Sequence, residues 1–338
     1  MSNKRSGCLW VALVIVLCLS LLVNVAQVAR KNKTFGGELQ AKLRKPTQLE
    51  ERVLRSGTGK ERIVVIPVRG LISSSVAGRI SASMVEDIKL QLRQAEEDKN
   101  VKAVVLAIDS PGGEVTASDN LYNAVRRVRD GSKKKPVVVS MGSMATSGGY
   151  YTACGGSYLM ANPTTFTGSI GVIIQSLRYD ELLNKIGVAP VTFKSGAFKD
   201  MLSGTREMTP EEKAYIQKLV MQTYGIFVGV VAKERHLDEA QLRSGIADGR
   251  VVSGTDALEA KLVDGLGEIE DAYQKAKELA GAPNATIIAY EAQFSFSRIF
   301  QYLGSEESSG KVEINVTQKL LPALEPGRAY WLPGFYAP

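Results

Sequence analysis

An α/β fold, a mainly parallel sheet with helices on both faces, is what this sequence predicts. Three observations carry that prediction. Residues 63–68, 101–108 and 136–140 are short runs, apolar almost throughout and rich in Val and Ile. Strands buried on both faces read this way, whereas half-exposed strands alternate. Between them, residues 83–97 and 114–130 carry apolar side chains at helical spacing, with charges in the gaps. Val85, Ile88, Leu92 and Ala95 mark the first helix, and Leu121, Ala124, Val125 and Val128 the second. Glycine-rich turns at 110–113 and 142–149 follow the second and third strands, and open α/β sheets gather their sites at the carboxyl ends of strands.

In chain order, residues 1–6 are a short flank. Residues 7–29 carry no charge, are dense in Leu and Val, and have Trp10 near one end. That is long enough to cross a bilayer as a helix. The competing reading is a cleaved signal peptide. The run is long for that role, and Val-Ala-Gln-Val-Ala offers no clean small-x-small cleavage site, which favours a retained signal anchor. Lys4 and Arg5 precede the span while Arg30, Lys31 and Lys33 follow it, so flanking charge leaves its orientation open. Residues 30–60 are polar and mixed in charge, and read as a tether with some helix over 37–54. The globular domain is expected over 61–290.

Within that domain, residues 142–155 (GSMATSGGYYTACG) open a helix after the third strand. Residues 157–160 and 169–174 read as short strands around a polar turn, 181–186 as a helix, and 190–194 as a strand leading into SGAFKD. Thr209-Pro210-Glu211-Glu212 is a helix-start signal heading a helical stretch to residue 235. Residues 249–265 suggest strand, turn and helix, 268–279 a helix, and 285–290 a last strand. A C-terminal extension, 291–338, is less regular and ends in an apolar aromatic tail.

Composition narrows the function classes. A length of 338 residues supports a large core, and a net charge of +7 suits the neighbourhood of an anionic membrane. Basic residues are spread along the chain with no aromatic-basic motif, which disfavours nucleic acid as a partner. Cys8 and Cys18 sit in the apolar run and Cys154 stands alone, so no disulfide framework is expected. No His, Cys or carboxylate cluster has metal-ligand spacing, and neither metal nor other cofactor is expected.

Ser147 is the centre of the chemistry. It sits at a strand-to-helix turn, followed by Gly148 and Gly149, where helix-start amides lie beside its hydroxyl. For a lone Ser-Gly-Gly, an N-cap serine in a tight turn is the plainer reading. A serine nucleophile needs a base within hydrogen-bond reach. The single histidine, His236, lies in a charged helix end and reads as a solvated surface residue. A Ser-His-Asp triad and a Cys154-His pair fail on the same count, so a base for Ser147 has to be a lysine. Lys199 stands out by its setting after a Ser-Gly-Ala-Phe turn, although most lysines in turns are simply solvated. Gly112-Gly113, with the N–H of Gly148, is a candidate oxyanion hole. A plain helix-entry turn fits Gly112-Gly113 equally well.

DSPGG at 109–113, SMATSGGYY at 143–151, TFTGSIGV at 165–172 and KSGAFKD at 194–200 occur in this order. Together with ADGRVVSGTDALEAKLVDGLG at 247–267 they resemble the signal peptide peptidase A family, in its short single-repeat bacterial form. The likeness extends over residues 63–290. It implies a Clp protease/crotonase-like fold with Ser147 as nucleophile and Lys199 as general base. It also implies that Ser169 holds the lysine amine, and that Gly113 and Gly148 donate to the oxyanion. In that form a neighbouring subunit supplies the lysine, so the resemblance implies a homo-oligomer, expected as an octamer, with an extracytoplasmic catalytic domain. Signal-peptide remnants and other apolar peptides are the implied substrates. Thr146 and Phe198 depart from residues common in the family, and neither departure removes a catalytic group. The aromatic tail resembles such a substrate and could occupy the groove; docking elsewhere or disorder explains it equally well. Three alternatives stay open: an enoyl-CoA hydratase-like enzyme of the same fold group, a related protease acting on a membrane-protein tail, and a non-enzymatic membrane scaffold.

Overall fold

The computed structural model describes residues 49–74 and 83–291 and the backbone of Tyr330–Trp331. The chain divides into Met1–Gln48 and Leu49–Pro338, and all described residues belong to the second unit. The expected span at 7–29 lies outside them. Among the described residues, no helix is long and apolar enough to cross a membrane.

Strands β1 (Glu50–Arg55) and β2 (Arg62–Arg69) lead to helix α1 (Met84–Glu97), strand β3 (Val101–Ser110), the short β4 (Gly113–Glu114) and helix α2 (Val115–Asp130). Strand β5 (Val137–Thr146) runs into the short helix α3 (Gly148–Ala153), then β6 (Tyr158–Ala161) and β7 (Phe166–Gly168). Helices α4 (Asp180–Lys185), α5 (Pro210–Arg235) and α6 (Glu239–Ser244) precede β8 (Val251–Ser253), α7 (Gly254–Glu259) and β9 (Gly265–Leu266). Helix α8 (Ile269–Leu279), β10 (Thr286–Glu291) and β11 (Tyr330–Trp331) complete the described elements.

The main sheet has the order β1-β10-β2-β3-β5-β6-β9, with β7 joined to β5 and β8. The pairs from β10 through β9 are parallel, as is β5 with β7; β1–β10 and β7–β8 are antiparallel. Side chains alternate faces along a strand, and both faces are covered. Val64, Ile66, Val104, Leu106 and Val139 pack with Leu92 of α1 and Leu121 and Val125 of α2. Ile63, Val65, Ala103, Val105 and Val138 pack with Ala272 and Ala276 of α8. This double cover is why the strand runs are apolar throughout.

Helix ends follow local chemistry. Ser83 caps α1 by accepting from Glu86 N–H at 3.2 Å. Thr209 and Glu212 form a reciprocal capping box at the start of α5, with Pro210 in its first turn.

Three expectations are corrected and one helix is added. Residues expected to be helical up to 54 instead form the edge strand β1, whose charged, exposed pattern carries no alternation to read. The strand expected at 169–174 lies earlier, at Phe166–Gly168, because Gly168 and Ser169 take left-handed φ values of 73° and 52° and end it. Residues 190–194 are exposed and form no ladder; β-branched alternation records propensity, and a strand also needs a neighbour. Helix α6, with its N-cap Asp238, was not anticipated.

Leu106, fully buried at the centre of this core, offers a direct test of the packing. Replacing it with Ala is expected to destabilise the domain by about 2–5 kcal/mol, read as a lowered urea midpoint.

Candidate active site

The carboxyl end of β5 builds the nucleophile turn. Met144, Ala145 and Thr146 pair in parallel register with Phe166, Thr167 and Gly168 of β7. One residue beyond, Ser147 and Ser169 both adopt φ 52°. Ser147 N–H donates to Gly168 C=O, and Ser169 N–H to Arg250 C=O, each at 2.8 Å. Register therefore delivers the two serines to neighbouring strand ends.

Ser147, at φ 52° and ψ −116°, occupies a region that costs an L-residue about 1–3 kcal/mol. Surrounding contacts hold it there. Tyr151 N–H donates to Ser147 C=O at 2.8 Å. The Tyr150 hydroxyl donates to Leu262 C=O at 2.9 Å and the Tyr151 hydroxyl to Asp119 at 2.8 Å, which anchors α3 from both sides. The Ser147 hydroxyl is buried and has no hydrogen-bond partner among the described residues. A buried hydroxyl left unpaired is costly.

Ser110, the last residue of β3, pairs with Ala145 of β5, so the turn 110–113 lies beside the nucleophile turn. Gly113 forms a parallel bridge with Ile72. Ile72 N–H donates to Gly112 C=O at 2.7 Å, and Glu114 N–H to Ile72 C=O at 2.8 Å. Because successive peptide groups point to opposite edges, the N–H of Gly113 faces away from Ile72. A Cβ at Gly113 would collide with the Ile72 backbone. A Cβ at Gly148 would collide with Ser118 Oγ and lie 3.0 Å from Gly113 N. The two glycines are thus in backbone contact, and Gly148 is the first residue of α3, where amides have no intrahelical partner. The Gly113 and Gly148 main chains thus come together next to the buried Ser147, and backbone N–H groups are the donors an oxyanion requires.

The edge of β4 that Gly113 N–H faces is paired with another segment. Tyr330 and Trp331, from the aromatic tail, pair antiparallel with Glu114 and Gly113. Extended backbone is therefore accepted there.

Lys199 is not brought to Ser147 within the chain. It lies exposed in a 3-10 turn, Ala197–Asp200, and makes no hydrogen bond to the Ser147 hydroxyl. Its neighbours are firmly held. Asp200 pairs with Lys194 at 2.8 Å and with Arg206 at 2.6 Å, and Arg206 pairs also with Glu212 at 2.6 Å. These cations hold the Asp200 carboxyl well below the usual carboxylate range. Phe198, a departure from the family pattern, stacks against Tyr215 with ring centroids 5.5 Å apart.

His236 is an exposed, left-handed C-cap of α5, in keeping with its reading as a surface residue. Cys154 is buried, and desolvation pushes its thiol up to about 12, so it stays protonated and packs as an apolar group. Thr146 has a role that its position in the sequence did not reveal. Its hydroxyl donates to Pro111 C=O at 3.0 Å, tying the nucleophile strand to the glycine turn. That partner lies 35 residues away in sequence, so no local signal announces it.

A strained, buried serine at the carboxyl edge of a parallel sheet, next to two closely approaching glycines, fits a serine peptidase with a Clp protease-like fold. The family model for Clp protease matches residues 69–166, and that for peptidase family S49 residues 129–283. A candidate signal peptide peptidase SppA of Enterococcus faecium is 33% identical over 299 residues, spanning 86% of this chain and 84% of that protein. A candidate protease of Synechocystis, slr0021, is 40% identical over 66% of this chain and 76% of its own length. The chloroplastic serine protease SPPA of Arabidopsis thaliana is 33% identical over 67% of this chain and 33% of its own length. The chain belongs to peptidase family S49 and is a serine peptidase.

The contact at Gly148 yields a test. Gly148→Ala, whose Cβ would displace Ser118 or Gly113, is expected to lower kcat by ~10²-fold or more while circular dichroism stays native. Wild-type activity in that variant would remove Gly148 from the site.

Proposed function

We propose that this peptidase is a membrane-anchored Ser/Lys endopeptidase that degrades signal-peptide remnants, with Ser147 as nucleophile and Lys199 as general base. The buried, unpartnered Ser147 hydroxyl beside the Gly113 and Gly148 amides is the observation that carries this reading. The neutral amine of Lys199 takes the Ser147 proton as Oγ attacks the peptide carbonyl carbon. Gly113 and Gly148 N–H stabilise the oxyanion, and the lysine ammonium gives its proton to the departing amine. Water, deprotonated by the same lysine, then cleaves the acyl ester. Ser169, one strand away from Ser147, orients the amine.

The lysine comes from a neighbouring copy in this reading. Residues 174–204 expose Leu177, Leu182, Ile186, Val191 and Phe193, the last at 95%. An apolar arm this exposed is suited to a subunit interface. A ring of copies, expected as an octamer, would cover it and carry each Lys199 to the next Ser147. The segment 7–29 anchors the ring to the membrane with its catalytic domains outside the cytoplasm, close to apolar peptides released there.

Ser147→Ala and Lys199→Ala are each expected to lose nearly all activity. Co-expressed in equal amounts, the two inactive variants should regain about a quarter of the wild-type sites, because a shared site needs one intact residue from each neighbour. No recovery would place both residues in one chain. A synthetic signal peptide should be cut within its apolar core; resistance of such peptides, with other apolar peptides cleaved, would overturn the substrate assignment alone.

The tail competes for the same groove. Tyr330 and Trp331 already lie on the edge to which Gly113 N–H points. Deleting residues 330–338 should raise peptide turnover, and unchanged turnover would show that the tail does not limit access.

A further inference from the structure

We infer that Glu114 is a positioning residue for the oxyanion hole, holding the strap 70–74 against the glycine turn so that Gly113 N–H keeps its direction. The inference rests on the reading of Ser147 as nucleophile.

Glu114 directly follows Gly113 and is buried, an unusual place for a carboxylate unless it is bonded. It is the N-cap residue of α2, yet its side chain makes no cap hydrogen bond. The carboxylate reaches instead to the strap. Oε1 accepts from Ser73 Oγ at 2.7 Å. Oε2 accepts from Ser74 Oγ at 2.7 Å and from Ser74 N–H at 3.3 Å. The main chain of the same residue is fixed as well: Glu114 N–H donates to Ile72 C=O, and Glu114 C=O accepts from Ser118 Oγ at 2.9 Å.

The strap matters because it controls the peptide groups on both sides of Gly113. Ile72 bonds Gly112 C=O on one side and Glu114 N–H on the other. Upstream, Gly70 N–H donates to Asp109 C=O at 2.9 Å, and Ser110 Oγ donates to Gly70 C=O at 2.7 Å. Downstream, the carboxylate contacts to Ser73 and Ser74 fasten it. Gly113 cannot be stiffened by a side chain, because the Ile72 backbone fills the space a Cβ would need. A glycine is free over most of φ/ψ space, so its direction comes from these flanking bonds. Displacements of ~1 Å in a catalytic constellation cost on the order of 10²-fold in rate.

With two anionic oxygens the carboxylate accepts from all three groups at once; of these only Ser74 N–H strictly requires an acceptor, and a glutamine could keep its oxygen on Ser74 and donate its amide N–H to Ser73 Oγ, giving up the charge but not the contacts.

The test compares Glu114→Ala, Glu114→Gln, the pair Ser73→Ala/Ser74→Ala, and all three alanines together, using an apolar peptide substrate and a fluorophosphonate, which phosphonylates a nucleophilic serine with loss of fluoride and sets its P–O oxygen where the substrate oxyanion would sit. Thermal unfolding checks folding. Glu114→Ala should lower kcat by ~10–100-fold with KM within about twofold, and slow fluorophosphonate labelling of Ser147 in proportion. Glu114→Gln, which can keep the same contacts, should stay close to wild type, as a conservative rescue of the alanine loss. The serine pair should reproduce most of the loss, and the triple variant should be no worse than Glu114→Ala, because one clamp is being removed. If Glu114→Ala fails to fold, the serine pair decides. Wild-type kcat in Glu114→Ala or in the serine pair, a loss confined to KM, or losses that multiply in the triple variant would overturn the inference. A wild-type enzyme that the reagent does not label at Ser147 would overturn the nucleophile reading, and this inference with it.

Discussion

The parallel pairing of Thr146 with Gly168 is the contact on which the site depends. It ends two adjacent strands at the same level, and the next residue on each, Ser147 and Ser169, turns left-handed. The bond from Ser147 N–H to Gly168 C=O closes that arrangement. A shift of one residue would send Ser147 to the other face of the sheet, because side chains alternate along a strand. The long interior strands β2, β3 and β5, buried on both faces, make such a slip expensive.

Around this pairing, the fold spends its buried polar groups on two glycines. Gly113 and Gly148 approach too closely for any side chain. Ser118 of α2 borders one of them and bonds the carbonyl beside the other. Thr146 ties the two turns together, and Tyr150 and Tyr151 hold α3 in place. The result is a stiff turn with the Ser147 hydroxyl at its centre. By contrast, Lys199 sits on an exposed arm whose own turn is braced by the Lys194, Asp200, Arg206 and Glu212 charges.

Much of this was legible in advance, for identifiable reasons. Doubly covered strands must be apolar at every position, so residues 63–68, 101–108 and 136–140 could be read directly. Amphipathic helices such as α1 and α2 announce their buried faces by spacing. The serine was marked by its glycine neighbours, and the solitary, charged setting of His236 excluded the usual base. What misled were segments whose state depends on a neighbour. Residues 190–194 have strand chemistry but no partner strand. Charged β1 has little strand chemistry but gains a partner in β10.

From sequence alone came the fold class, the placing of the glycine turns at strand ends, and the expectation of a lysine rather than a histidine as partner for Ser147. These follow from local composition and period, which each segment carries by itself. Only the tertiary structure decided that Ser147 is buried without a partner among the described residues, that Gly113 and Gly148 come together, and that Glu114 reaches back to Ser73 and Ser74. The last two join residues about thirty-five to forty positions apart, and such distances are closed by register and packing rather than by any property of the residues taken singly.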